Sequence, residues 1–343
     1  MKTIAFNLEQ ILPARKSEDY LYTDVAKLAE GIEQVATGQI DGADGEVDFV
    51  LPAPETDRPA QFVAQAAPRA AHFIIDGQSS DIKHININNN STPNLLTAQS
   101  IVIDINANAQ RDIIIDFAVN EGLTALDIYI KMGEGSSANI VLWQNAKTSA
   151  RIFTHTIADL QAKANLRIST INIEPKYARN NLRINYLGEN TTTDITGLYI
   201  AKNNNVIDNS TTVRHKAGHC ECEQLYKGLV DDEARAAFSG LIVVEPHAQK
   251  TKANQVNRSM LLSKDARAFA KPQLEIYADD VRCNHGSTTG QIDKEQLFYM
   301  QARGIGEEEA RRMLVAAFVC EIADRLPIDT LRDKLEESII KSL

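Results

Sequence analysis

Two stretches of this chain concentrate side chains that bind soft metal ions. The first, His215-Lys216-Ala217-Gly218-His219-Cys220-Glu221-Cys222, brings together imidazoles and thiols. Both suit zinc and iron. Cys220 and Cys222 are two residues apart, so in a strand they share one face. A lone Cys-x-Cys pair supplies half of a four-coordinate site, and two small side chains buried in a core account for the same spacing. The second stretch is Cys283-Asn284-His285-Gly286, after the apolar run Leu274 to Tyr277 and the pair Asp279-Asp280. Cys283 and His285 form a compact soft-ligand pair that a partner chain must complete. A core cysteine beside a hydrogen-bonded histidine is the alternative.

Signatures of other chemistry are missing. No glycine-rich loop ends in Gly-Lys-Ser/Thr, so nothing cradles nucleotide phosphates. Gly304-Ile305-Gly306 lacks the third glycine and the preceding strand of a dinucleotide fingerprint. Neither a G-x-S-x-G elbow nor an H-E-x-x-H zinc helix occurs. Asp279 and Asp280 are the carboxylates a polysaccharide-cleaving site would need. Adjacent residues of a strand face opposite ways, which keeps these two from sharing a substrate.

The elements that hold these residues are mostly short strands. They run as Ile113 to Val119, Ala125 to Met132, Ile140 to Trp143, Arg151 to Ile157 and Leu166 to Ile173. Leu182 to Leu187, Ile195 to Ile200, Leu225 to Val230, Leu241 to Val244 and Leu274 to Tyr277 continue the series. Each alternates apolar with polar residues or is a β-branched apolar run, and Gly, Asn, Ser and Asp clusters separate them. No long helical pattern interrupts the run, which argues against alternating β/α units. The quasi-repeat suits a β-solenoid, whose asparagine-rich turns at Asn86 to Asn90 and Asn203 to Asn205 would stack as ladders. A β-sandwich with long loops fits the periodicity equally.

Helical spacing frames this region. Leu8, Ile11 and Leu12, then Val25, Leu28 and Ile32, mark short N-terminal helices. Thr37 to Ala71, rich in Pro, Gly and Asp, reads as a cover or linker. At the other end, Asp293 caps a helix, Leu314, Phe318 and Ile322 form a stripe, Pro327 stops it, and Leu331, Leu335 and Ile339 line a last helix. Helices after a solenoid commonly cover its last coil. Leu297, Phe298, Tyr299 and Met300, however, are a continuous apolar run that spreads round a helix, so part of it must face something else. Arg303, Gly304 and Ile305 then make a tight break. The expected division is an N-terminal helical segment and linker at 1–71, a β core at 72–290 and a C-terminal helical domain at 291–343.

Net charge is −10 over 343 residues, a poor field for nucleic acid. No apolar stretch is long enough to cross a membrane, and the N-terminus lacks a secretory pattern. With four cysteines and no disulfide framework, the expected compartment is the reducing cytoplasm.

Longer motifs carry a family resemblance. Leu274-Glu275-Ile276-Tyr277-Ala278-Asp279-Asp280-Val281-Arg282-Cys283-Asn284-His285-Gly286 and Leu297-Phe298-Tyr299-Met300-Gln301-Ala302-Arg303-Gly304-Ile305 resemble the signature of the SufB/SufD scaffold family. Phe238-Ser239-Gly240-Leu241-Ile242-Val243, Lys250-Thr251-Lys252-Ala253-Asn254-Gln255, Leu261-Leu262-Ser263 and Tyr226-Lys227-Gly228 are similar to it as well, as is Ser17-Glu18-Asp19-Tyr20-Leu21-Tyr22-Thr23. The last motif and the short chain favour a SufD-like member. The resemblance implies a right-handed parallel β-helix with helical parts at both ends. It implies a non-catalytic scaffold that pairs with a sister SufB-like β-helix and docks a SufC-like ABC-type ATPase to assemble iron–sulfur clusters. It puts Cys283 and His285 at the end facing the sister, where iron or a cluster binds, and makes Leu297 to Leu326 the ATPase-docking region. Partner contacts are thus expected at Leu297, Phe298, Tyr299, Arg303, Gly304 and Ile305, with no cofactor in the isolated chain. Whether that chain pairs with itself stays open.

Overall fold

The strands marked out by the sequence lie side by side as the coils of a solenoid. The computed structural model describes residues 3–12, 20–50, 52, 57–89, 92–146 and 149–342. In chain order the strands begin with β1 (Thr3–Ala5), β2 (Gln34–Thr37), β3 (Gly45–Asp48), β4 (Arg69–Ile75), β5 (Gln78–Asn89) and β6 (Leu95–Ile105). Then come β7 (Gln110–Val119), β8 (Leu123–Met132), β9 (Ser137–Asn145), β10 (Arg151–Leu160), β11 (Asn165–Ile173), β12 (Tyr177–Tyr186) and β13 (Thr192–Ala201). The last are β14 (Val206–His215), β15 (Glu221–Val230), β16 (Arg235–Val244), β17 (Lys252–Leu261), β18 (Arg267–Ile276) and β19 (Arg282–Gln291). The helices are α1 (Val25–Leu28), α2 (Arg58–Ala66), α3 (Lys294–Gln301), α4 (Glu307–Arg325) and α5 (Asp329–Ser342).

From β5 onward, even-numbered strands stack in one sheet and odd-numbered strands in a second. Every stacked pair is parallel and joins strands two apart in sequence, as β8 with β10 and β15 with β17. A sandwich of antiparallel hairpins cannot produce that pairing, so the solenoid stands. At the turns from even to odd strands, one residue per coil takes the left-handed conformation: Asn108, Gly135, Lys163, Asn190, His219 and Lys250. Asparagine tolerates that region best among side-chain-bearing residues. His219 is therefore a corner residue. Asparagine does stack, but inside the coils, where Asn180 Nδ2 donates to Asn209 Oδ1 at 3.1 Å and Asn172 accepts from Asn180 at 3.1 Å. Asn86 sits within β5.

The inner faces form one continuous core. Its early coils are aliphatic and aromatic, with Ile85, Ile101, Ile103, Ile113, Ile115, Phe117, Ile128 and Ile130 all buried. Cys220 and Cys222 belong to this core and are 0% and 1% exposed, so they fill space as small side chains. Burial pushes the Cys222 thiol up to about 11. His215, also inside, stacks on Tyr186 with ring centroids 4.1 Å apart, and burial lowers it to about 3.

Both sheets are covered on their outer faces. The N-terminal region lies over the first. It is less helical than its spacing suggests: Leu8–Gln10 is a single 3-10 turn, α1 spans only Val25–Leu28, and β1 and β2 extend the sheet instead. The stretch read as a linker contains α2, which has Pro59 in its first turn and buries Phe62 and Val63. Residues 17–19 of the acidic-aromatic motif lie outside the described residues. Tyr20 donates to Asp57 at 2.5 Å, Arg179 sits over its ring at 4.9 Å, and Thr23 donates to Asp208. Arg179 pairs with Asp208 at 2.6 Å, both almost fully buried.

Helices α4 and α5 lie along the second sheet and leave the last coil uncovered. Their buried face, with Val315, Val319, Ile322, Ala323, Leu331, Leu335 and Ile339, packs on Val141, Trp143, Ile171, Leu198 and Leu229. The stripe on α4 is thus rotated from the expected one: Leu314 and Phe318 sit at its margin. The stripe on α5 is as expected. Lys227 projects from β15 into α4, bonding the Phe318 carbonyl at 2.6 Å and Glu321 at 2.6 Å. These ties explain why the helices take the side of the solenoid and not its end.

Candidate functional site

The solenoid ends in an open coil. No residue of β18 or β19 is buried, although the equivalent positions of earlier strands are. Each is the last strand of its sheet, so one row of backbone donors and acceptors has no strand beside it. Apolar side chains are exposed around this end, with Tyr277 at 60%, Phe269 at 43% and Ile276 at 36%. The spacing of Phe269 does not single it out. The available signal was Pro272 in the same strand, because proline is tolerated mainly at sheet edges.

Cys283 and His285 lie near the start of β19, a further strand after the run Leu274 to Tyr277. Their rung partners on β17 are Ala253 and Gln255, both buried inside the coil. Cys283 and His285 thus face the lumen at its open mouth, one half-buried and the other exposed. Burial raises the Cys283 thiol, and a backbone hydrogen bond at Ala253 opposes this. The donor set suits iron, but among the described residues no group of three or more His, Cys, Asp or Glu is placed to hold a metal. The chain alone offers two ligands at a mouth that another surface can close.

Asp279 and Asp280 lie in the turn between β18 and β19, so the strand argument against their pairing does not apply to them. Asp280 is instead engaged with Lys250, and its amide donates to Gln249 at 2.9 Å. His215, Cys220 and Cys222 lie deeper in the core and do not join Cys283 at the mouth.

The second exposed feature is α3. Asp293 caps it, accepting from the Glu295 amide at 2.8 Å and the Gln296 amide at 3.4 Å. None of its residues is buried. Leu297 and Met300 are half-buried, while Phe298 is 71% and Tyr299 58% exposed. The Arg303 guanidinium covers the Tyr299 ring at 4.4 Å. Gly304 has φ +88°, and the Gly304 and Ile305 amides bond back to Gln301 and Met300 at 2.9 and 3.3 Å. This pair of bonds closes the helix and sets the angle to α4. Glycine is needed there because a side chain disfavours positive φ.

Comparison with known proteins bears on both features. A family model described as SUF system FeS cluster assembly, SufBD core domain, matches residues 84–318. An iron-sulfur cluster assembly protein SufD of Escherichia coli (strain K12) is 44% identical over 148 residues, covering 43% of this chain and 35% of that protein. The iron-sulfur cluster assembly SufBD family protein slr0076 of Synechocystis is 38% identical over 151 residues, covering 44% and 33%. A SufD of Bacillus subtilis is 32% identical over 151 residues, covering 44% and 35%. The matches thus span well under half of each relative's own length. The family model takes in the solenoid, its open end, α3 and most of α4, and on that match the chain belongs to the SufBD core family of the SUF iron–sulfur cluster assembly system, as a SufD-like member.

Proposed function

We propose that this chain is a non-catalytic scaffold subunit of a cytoplasmic iron–sulfur cluster assembly complex. Its open coil pairs with a sister SufB-like solenoid, and α3 docks a SufC-like ABC-type ATPase. The observation that carries this reading is the uncovered last coil with Cys283 and His285 on its inner face. A sheet edge with exposed apolar groups favours strand-to-strand association, and a second solenoid laid on it would satisfy the free backbone row. The same contact would bring further ligands to Cys283 and His285, where iron or a nascent cluster is the cargo. The SufD names of the relatives support the assignment to cluster assembly. Phe298 and Tyr299 support the docking role, since an exposed aromatic pair is the usual anchor of a protein interface.

The test is reconstitution with a sister scaffold and ATPase from the same genome. Cys283→Ala and His285→Ala should leave the isolated fold intact and lower iron and sulfide in the complex. Normal cluster content in both variants would refute the ligand role. Phe298→Glu or Tyr299→Glu should abolish co-elution with the ATPase while circular dichroism is unchanged. Continued co-elution of both variants would move the docking surface elsewhere. The isolated chain should hydrolyse no ATP. Sedimentation of that chain shows whether the open end also pairs with itself.

A further inference from the structure

Inside the last coils the polar side chains are arranged in rungs, and one of them is left incomplete. Gln224 on β15 faces across the lumen to Thr211 on β14, whose hydroxyl donates to Gln224 Oε1 at 3.0 Å. One coil further on, Gln255 takes the place of Gln224 and Gly240 the place of Thr211. The exchange removes the hydroxyl donor. It also makes room: a Cβ on Gly240 would lie 2.3 to 2.6 Å from the Gln255 amide atoms, so the side chain can reach across only because glycine is there. The Gln255 amide nitrogen then donates to the Gly240 carbonyl at 3.4 Å, and its Oε1 has no partner although the residue is 0% exposed.

A buried amide oxygen without a donor is destabilising, because it has given up water and gained nothing in return. On the inner side the Thr211 hydroxyl is spent on Gln224 Oε1 and the Gln224 amide nitrogen is turned toward Cys222 Sγ at 4.0 Å, so neither donates to Gln255. On the outer side the rung partners are Pro272 opposite Gly240 and His285 opposite Gln255. Proline has no N–H to give. The imidazole of His285 is the remaining N–H donor on that rung, and it faces the same lumen.

We infer that Gln255 is a positioning residue for His285, its Oε1 accepting one imidazole N–H so that the other ring nitrogen is presented at the open mouth. Ligating histidines commonly donate their second N–H to a carbonyl, which fixes tautomer and ring orientation. Gly240 is part of the same device, because it lets the glutamine lie across the lumen and withholds the donor that satisfies Gln224. The consequence for iron rests on the reading of His285 as a ligand. The inferred hydrogen bond between the two side chains does not, and it is tested separately.

The experiment is nitrogen-15 NMR of the full chain labelled at histidine, with His285→Gln used to assign the resonance. Wild-type His285 should populate a single neutral tautomer, and Gln255→Leu should return it to the mixture of a free imidazole. Gln255→Glu puts a carboxylate at hydrogen-bonding distance and should raise the His285 titration midpoint by about one pH unit or more. A free-imidazole tautomer mixture in the wild-type chain, or an unmoved midpoint in Gln255→Glu, overturns the inference, and the latter holds even where Gln255→Leu fails to fold. Iron in the assembled complex separates the two claims. If His285→Ala lowers iron while Gln255→Glu leaves the midpoint unmoved, the ligand role survives and the positioning role falls. If Gln255→Glu moves the midpoint but His285→Ala leaves iron unchanged, the reverse holds.

Discussion

The middle coils and the last coil use the same strand pattern under opposite conditions. At β8 the lumen is filled by Ile128 and Ile130, and neighbouring strands stack on both sides. At β19 the lumen positions carry Cys283, His285 and Ser287, and one side has no strand. Along the chain the interior passes from isoleucine to asparagine, glutamine and serine, as at Gln224, Gln255, Asn257 and Ser259. A coil between two others can rely on apolar burial alone. A coil at an open end loses that driving force and must take it from a partner, so polar and ligating side chains are tolerated there before the partner arrives. The body should accordingly respond strongly to substitution in the isolated chain, and the last coil weakly.

The largest effect should come from the buried charges that fasten the N-terminal cover. Arg179→Met leaves Asp208 buried without its cation and should cost about 3–5 kcal/mol in denaturant unfolding. A loss below about 1 kcal/mol would mean that water or another cation compensates. Ile128→Ala should cost about 2–5 kcal/mol by opening a cavity between two fixed coils.

Acid should weaken the body next. His155 and His215 are both fully enclosed, and burial holds them down to about 4 and about 3. Near His155 the opposing influences are Asp57, which raises it, and Arg183 and Arg179, which lower it. Unfolded histidine titrates near 6.5, so below that pH the unfolded chain binds protons the folded chain refuses. Stability should therefore be full above about pH 6.5 and fall toward pH 4, measured as unfolding free energy against pH. His155→Gln and His215→Gln should each flatten that slope. Asp127 acts in the opposite sense, since burial and then Asp57 raise its carboxyl well above the usual range. Above about pH 4 the unfolded state gains by ionising it, so Asp127→Asn should gain stability relative to wild type as pH rises. A pH-independent difference would sink this reading.

How far all this was readable from sequence depends on the kind of contact involved. Strands with an apolar inward face, such as Ala125 to Met132 or Leu166 to Ile173, were visible because burial fixes their alternation. The solenoid itself was not separable from a sandwich, since period-two alternation says nothing about which strand lies next. Strands β14 and β19 are hard to see in the sequence because their inward positions hold Asn209 and Thr211, and Cys283, His285 and Ser287, in place of an apolar alternation. The buried stripe of α4 starts one residue after Leu314 because Leu314 and Val315 are both apolar, and contact with the second sheet, not the spacing, selects Val315. Cys283 and His285 were legible as a pair. That they face the lumen, and that Gln255 stands behind them, depends on the register of strands about thirty residues apart, which no local pattern encodes.

The smallest effect in the isolated chain belongs to the end coil, and it should not stay small. Ile276 ends β18 with 36% of its surface exposed, and Phe269 keeps 43% even with Tyr22 stacked on it at 5.4 Å. Partial exposure before substitution means little burial is lost, so Ile276→Ala and Phe269→Ala should each cost under about 1 kcal/mol in the free chain, well short of the cost at Ile128. If the open end is where a second solenoid sits, the same side chains become buried on assembly. Their truncation should then weaken association with the sister scaffold by roughly 1–2 kcal/mol each, or about 5- to 30-fold in Kd. The contrast between the two measurements is the decisive quantity. A large loss in the free chain would show that the last coil is already self-sufficient, and no loss in either would place the partner surface on another part of the molecule.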